Sequence, residues 1–119
     1  MTRALVRIAL VIALSAVSAA AHGILERTEP RAGASVKLAP SQVRLWFTGA
    51  LEPAYSRVRV LDAAGNRIDL GDGAVDDANR VLLRVSVPAL GAGRYRVVWR
   101  VISVDSHVTE GDFSFTVAP

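Results

Sequence analysis

The sequence predicts an all-β domain, and three features support this class. Apolar and polar residues alternate with a two-residue period through most of the chain after residue 22, as in strands with one buried face. Turn-forming Gly, Pro, Asn and Asp residues separate these stretches at short, nearly regular intervals. Residues 22–119 contain no helical stripe of 11 residues or more. These features predict six or seven antiparallel strands, seven when every short stretch is counted, in a sandwich or a Greek-key barrel.

The first four predicted strands are short. They are placed at residues 24–28, 42–47, 55–62 and 67–70. Pro30 and Gly33 end the first strand, and Val43, Leu45 and Phe47 share one face of the second. The third strand repeats this alternation and ends at an Asp-Ala-Ala-Gly-Asn turn. The fourth precedes a polar loop rich in Asp and Gly.

The last three predicted strands carry most of the apolar residues. They are placed at residues 80–87, 94–102 and 111–117. Pro88 stops the first of them, and the second is the longest, with arginines on the face opposite its apolar residues. The core is predicted to contain the aromatic side chains of Trp46, Phe47, Trp99, Phe113 and Phe115.

Residues 1–21 have the pattern of a secretory signal peptide. Arg3 and Arg7 are followed by an uncharged apolar run of 14 residues that ends in three alanines. A bilayer-spanning helix needs about 20 apolar residues, so cleavage is favoured over a membrane anchor. We expect the cut after Ala21, with Ala20 as the alternative, and an exported domain of residues 22–119.

The composition of the expected exported domain excludes several chemistries. Loss of Arg3 and Arg7 leaves 12 basic and 11 acidic residues, a formal charge of +1. The arginines are spread over the strands without interleaved aromatics, so we interpret them as a solvated face and expect no nucleic-acid partner. The chain has no cysteine, and its single methionine is Met1. Thiolate and thioether metal ligands are therefore excluded.

His22 directly follows the predicted cut. The α-amine and the imidazole Nδ1 of an N-terminal histidine can close a six-membered chelate ring on one metal ion. Their unperturbed pKa values are about 8 and about 6.5, so both groups lose their protons readily when a metal ion competes. Inside a longer chain the same histidine lacks the amine. The cut at Ala21 would thus create a chelating ligand.

Asp105 and His107 complete the predicted metal site. Residues i and i+2 of an extended segment point to the same side, so we expect this carboxylate and this imidazole to converge. Three nitrogens and one oxygen, without sulfur, favour Cu(II), with Ni(II) second. We predict one Cu(II) ion per mature chain, held by His22, Asp105 and His107.

The sequence resembles the CopC family of periplasmic copper-binding proteins over essentially all of residues 22–119. The shared motifs are Ala21-His22-Gly23, Thr28-Glu29-Pro30-Arg31-Ala32-Gly33, Leu45-Trp46-Phe47-Thr48 and the closing strand Gly111 to Val117. The most specific motif is W-R-x-x-S-x-D-x-H, which here contains Trp99, Ser103, Asp105 and His107.

This resemblance implies a cupredoxin-like or immunoglobulin-like fold and a periplasmic location. It implies that His22 binds Cu(II) as a histidine brace, with His107 and Asp105 as further ligands. It also implies a copper carrier or buffer that works with an inner-membrane transporter of the CopD type. The methionine-rich Cu(I) loop of two-site members is missing, so the chain resembles the Cu(II)-only type. Gly49 stands where many members carry an acid near the copper, and Glu52 follows three residues on.

Two alternative functions stay open at this point. A copper-dependent redox enzyme could use the same brace, although 98 residues leave little room for an extended substrate surface. An exported immunoglobulin-like interaction domain could carry both histidines incidentally. The sequence has no motif of a Ser/His/Asp catalytic triad and no Gly-rich phosphate loop, so we expect a carrier and not an enzyme. Nothing in it suggests an obligate dimer, so we expect a monomer.

Overall fold

The structure, a computed structural model, describes residues 24–119 as two four-stranded β-sheets that pack face to face. The strands are β1 (Leu25–Glu29), β2 (Ser35–Val36), β3 (Gln42–Phe47), β4 (Arg57–Leu61), β5 (Ala74–Val75), β6 (Leu82–Ser86), β7 (Gly93–Ile102) and β8 (Val108–Val117). A 3-10 turn, Pro53–Tyr55, precedes β4. The first sheet has the order β1-β3-β6-β5 and the second β2-β8-β7-β4. No helix within these residues is long and apolar enough to cross a membrane.

The predicted all-β sandwich is confirmed, with differences in its shortest strands. Residues 24–119 form eight strands, and β2 pairs with β8 in parallel, so the sheets are not purely antiparallel. The expected strand at 67–70 is reduced to one bridge between Leu61 and Arg67. A side chain replaces the backbone carbonyl that would pair with β4 at this point, because Asp69 Oδ2 accepts the Val60 N–H at 2.8 Å.

The core lies between the two sheets and follows the predicted alternation. β3 and β6 contribute Val43, Leu45, Phe47, Leu83 and Val85, and β4, β7 and β8 contribute Val58, Val60, Tyr95, Val97, Trp99, Val101, Phe113, Phe115 and Val117. Phe47 meets Trp99 edge-to-face, with the ring centroids 5.2 Å apart. Burying an aliphatic or aromatic side chain of this kind contributes about 1.5–3 kcal/mol.

The prediction that Trp46 belongs to the core is wrong. Its neighbours on β3, Leu45 and Phe47, are buried, so the pleat turns Trp46 to the outer face of the first sheet. Arg27 is its register partner on β1, and the guanidinium carbon lies 3.8 Å from the centroid of the Trp46 ring. A cation over an indole face is attracted by the ring electrons. Trp46 therefore packs against Arg27 on the outer face of the sheet and is not part of the core.

Residues 48–52 join the beginning of β1 to the end of β7. Thr48 N–H donates to the Ile24 carbonyl at 2.8 Å, and Ile24 N–H donates to Thr48 Oγ1 at 3.1 Å. Further along, Val104 N–H donates to the Ala50 carbonyl at 3.0 Å. The start of β1 and the loop after β7 therefore lie at the same end of the sandwich, on either side of one short segment.

Candidate metal site

Asp105 and His107 lie in the tight loop that joins β7 to β8. Ser103 N–H donates to the His107 carbonyl at 2.9 Å, and Ser106 N–H donates to the Ser103 carbonyl at 2.9 Å. Ser106 has a φ of +71°, which few residues other than glycine adopt. These bonds and this left-handed residue reverse the chain within a single turn.

The two predicted donors converge, but not in the way that the sequence suggested. His107 Nδ1 lies 3.2 Å from Asp105 Oδ1. The segment is a turn and not an extended strand, so the two side chains do not converge through the alternation of a strand. They are brought together by the chain reversal at Ser106. The side chain of His107 is 61% exposed and that of Asp105 is 36% exposed, so an ion can reach both from solvent.

Ser103 contacts both predicted donors, although no role was expected for it from the sequence. It is buried, with 2% of its surface exposed. The Ser103 hydroxyl donates to Asp105 Oδ1, and Ser103 Oγ accepts the His107 N–H at 3.2 Å. The signal that could have identified Ser103 is its place in the W-R-x-x-S-x-D-x-H motif.

Trp99 lies on β7, three register pairs away from the end of the β7–β8 ladder at which the loop begins. Gly111 is its partner on β8, and a Cβ at Gly111 would lie 2.8 Å from Trp99 Cζ2. The missing side chain thus makes room for the indole, which packs on Phe47. Trp99 Nε1 is buried and has no hydrogen-bond partner in the described part of the chain.

The described residues supply two of the predicted donors. Within residues 24–119 no group of three or more His, Cys, Asp or Glu side chains is arranged to hold a metal ion. His22 and the predicted signal peptide fall outside these residues. Glu52 is half-buried, and its N–H donates to the carbonyl of Ile102, at the end of β7, at 2.8 Å. Its carboxylate forms no ion pair with residues 24–119. The chemistry of the pair itself, one imidazole and one carboxylate, fits a nitrogen and oxygen site.

Comparison with known proteins identifies the family. Residues 25–118 match the CopC domain. The chain belongs to the CopC family. Both the resemblance drawn from its motifs and the sandwich fold that it implied are confirmed.

Three related proteins illustrate how this CopC domain compares with others. CopC from Methylosinus trichosporium OB3b has a crystal structure that matches with a TM-score of 0.73 and 36% identity, over 82% of this chain and 95% of that one. PcoC, a methionine-rich copper resistance protein from Escherichia coli, matches with a TM-score of 0.70 and 27% identity, over 82% and 99% of the two chains. The copper transport protein CutJ of Bacillus subtilis is 26% identical over 82% of this chain, which spans only 18% of the length of CutJ.

Proposed function

We propose that this CopC domain carries or buffers one Cu(II) ion in the periplasm, as a monomer, and binds it through His22, Asp105 and His107. The observation that supports the proposal most directly is the 3.2 Å approach of His107 Nδ1 to Asp105 Oδ1 on an exposed loop. Copper is the cargo of such a protein. The names of its relatives agree, since they include a copper resistance protein and a copper transport protein.

The position of β1 supports His22 as the third ligand. His22 precedes Ile24 by two residues, and two residues of extended chain span at most about 7 Å. Ile24 is bonded to Thr48, and the same segment is bonded to the loop of Asp105 through Ala50. The N-terminus of a chain cut at Ala21 would therefore stay at the end of the sandwich where the loop lies.

The available donors favour Cu(II) over Cu(I). Cu(I) prefers thiolate and thioether ligands, and the chain has no cysteine and no methionine besides Met1. PcoC, by contrast, is described as methionine-rich. Two imidazoles, one amine and one carboxylate would supply the nitrogen and oxygen donors that Cu(II) prefers.

A carrier explains the exposure of the loop better than an enzyme does. Asp105 and His107 lie on the surface, where an ion can be loaded and passed directly to another protein. If Asp105 bound the copper, its carboxylate would take up a coordination position that a redox enzyme needs for oxygen. We therefore propose transfer to an inner-membrane transporter of the CopD type, and no catalysis.

The experiment that tests the proposal compares residues 22–119 with the same protein acetylated at the α-amine of His22. Acetylation keeps both imidazoles and removes only the chelating amine. We expect Cu(II) affinity, measured by competition with a chelator, to fall by several kcal/mol, at about 1.4 kcal/mol per tenfold. Circular dichroism of both proteins controls for folding. Equal affinities would show that the amine is not a ligand.

A further inference from the structure

Ser103 is buried directly after β7, whereas the loop that follows it is exposed. It forms a bridge with Leu51, which is 1% exposed, and the next residue, Val104, donates its N–H to Ala50. Residues 104–107 are all exposed. The exposed loop of residues 104–107 is thus anchored to the buried part of the domain at Ser103.

The contacts of Ser103 reach both proposed ligands. The hydroxyl donates to the carboxylate of Asp105 and accepts the N–H of His107. The Ser103 N–H donates to the carbonyl of His107 at 2.9 Å. The backbone at His107 and the side chain of Asp105 are therefore both oriented by one buried residue.

We propose that Ser103 is a positioning residue for copper, which sets the geometry of Asp105 and His107 before the ion arrives. The inference depends on the proposed function. Groups that orient a metal ligand commonly change metal affinity by about 10- to 100-fold when they are removed. Without the hydroxyl the same ligands are present, but they must be ordered when the ion binds.

The test compares Ser103→Ala with the matched control Ser56→Ala. Ser56 is also buried, at 4% exposed, and its hydroxyl accepts the Ile102 N–H at 3.4 Å without contacting either ligand. We expect Ser103→Ala to weaken Cu(II) binding about 10- to 100-fold and to change the g and hyperfine values of the copper EPR spectrum. Ser56→Ala should keep the affinity and the spectrum of the original protein.

A second pair of variants isolates the hydroxyl even if Ser103→Ala does not fold. Ser103→Thr and Ser103→Val have nearly the same shape, and only threonine keeps the hydroxyl. The proposal is supported if Ser103→Thr binds Cu(II) tightly and Ser103→Val binds it more weakly. It is overturned if the two variants have equal Cu(II) affinities and equal EPR spectra. If His107→Ala also binds copper like the original protein, the proposed ligand set fails, which is a separate result.

An independent feature is a groove of about 700 Å³ on the outer face of β4, β7 and β8. Its charged lining consists of Arg57, Arg59, Arg67, Arg96, Arg100, Glu110 and Asp112. Residues 24–119 as a whole carry 12 basic and 11 acidic side chains, so the positive excess of the domain is concentrated here. Outside this lining the described residues carry 7 basic and 9 acidic side chains, and the side chain of one of these acids, Asp69, is buried and pairs with Arg67 at 3.0 Å.

The two arginines on β4 have no partner of opposite charge among the residues that the structure describes. Arg96 pairs with Asp112 at 2.8 Å and Arg100 lies 3.7 Å from Glu110, but Arg57 and Arg59 form no ion pair within residues 24–119. Arg57 is the direct register partner of Arg100. Like charges in opposite positions of two strands repel each other, and a bound anion would relieve this repulsion.

We infer that the groove docks an acidic segment of a partner protein. Guanidinium groups bind carboxylates with two parallel hydrogen bonds. The groove is concave, which disfavours contact with a flat anionic membrane. A single chain with spaced carboxylates can instead enter next to Arg57 and Arg59.

The test is an NMR titration of the ¹⁵N-labelled domain with a hexaglutamate peptide. We expect shifts on β4 and β7 that are lost in Arg57→Gln/Arg59→Gln and kept in the control Arg31→Gln/Arg80→Gln, which removes two exposed arginines outside the groove. Equal shifts in both double variants would overturn the inference. So would binding to phosphatidylglycerol vesicles without binding to the peptide.

Discussion

The close contact of Gly111 with Trp99 makes Gly111→Ala an informative change. The added Cβ would lie 2.8 Å from Trp99 Cζ2 and 3.1 Å from Cε2. These atoms belong to a rigid indole that is 9% exposed and packed against Phe47. The ring therefore cannot rotate away without disturbing the core.

The expected magnitude is the difference between two opposing effects. Overpacking a core costs about 1–3 kcal/mol. Replacing glycine by alanine at a compatible backbone position gains about 0.4–1 kcal/mol, because the unfolded chain loses freedom, and Gly111 has no positive φ. The net loss should be about 1–2 kcal/mol, which corresponds to a fall in Tm of about 5–15 °C for a domain of this size.

The assay is urea and thermal unfolding, followed by circular dichroism and tryptophan fluorescence. Gly91→Ala is the matched control, since a Cβ there has no atom within 4 Å and the backbone has no positive φ. It should be neutral or slightly stabilising. A Gly111→Ala protein as stable as Gly91→Ala would refute the claim that the indole has no room to move.

Three further predictions concern the copper site, the pH dependence of stability and export. His107→Ala should reduce Cu(II) affinity at least tenfold, which corresponds to about 1.4 kcal/mol. Val108→Ala, which changes the exposed neighbouring residue, should leave the affinity unchanged. Competition with a chelator measures both affinities. Burial raises the pKa of Asp69, but hydrogen bonds from Arg67, Val60 and Gly71 outweigh it and hold this pKa below its usual value. The stabilisation is therefore complete above about pH 4, the pKa of an unfolded aspartate, and is lost as the pH falls through the lower folded pKa. Urea unfolding of Asp69→Asn should accordingly depend less on pH in this acidic range than the original protein, and an unchanged slope would contradict the role of Asp69. Intact mass of the exported protein should correspond to residues 22–119, and a chain that starts elsewhere would remove the proposed amine ligand.

Local sequence patterns were sufficient for the long strands and most of the core. In β3, β7 and β8 the two-residue period identifies the buried face, because neighbouring side chains of a strand point in opposite directions. β2 and β5 have two residues each and exist only through their partners, so no period could reveal them. The expected strand at 67–70 failed because the side chain of Asp69 takes the place of a backbone carbonyl.

The sequence by itself determined the all-β class, the family and the types of donor near His107. Only the tertiary structure decided that Asp105 approaches His107 through a turn, that Ser103 supports both residues, and that β1 begins at the same end of the sandwich. Local alternation records which side of a strand is apolar, since that depends on the strand alone. Which ends of the strands meet depends on hydrogen bonds between residues far apart in the chain, such as Ile24 with Thr48 and Ala50 with Val104.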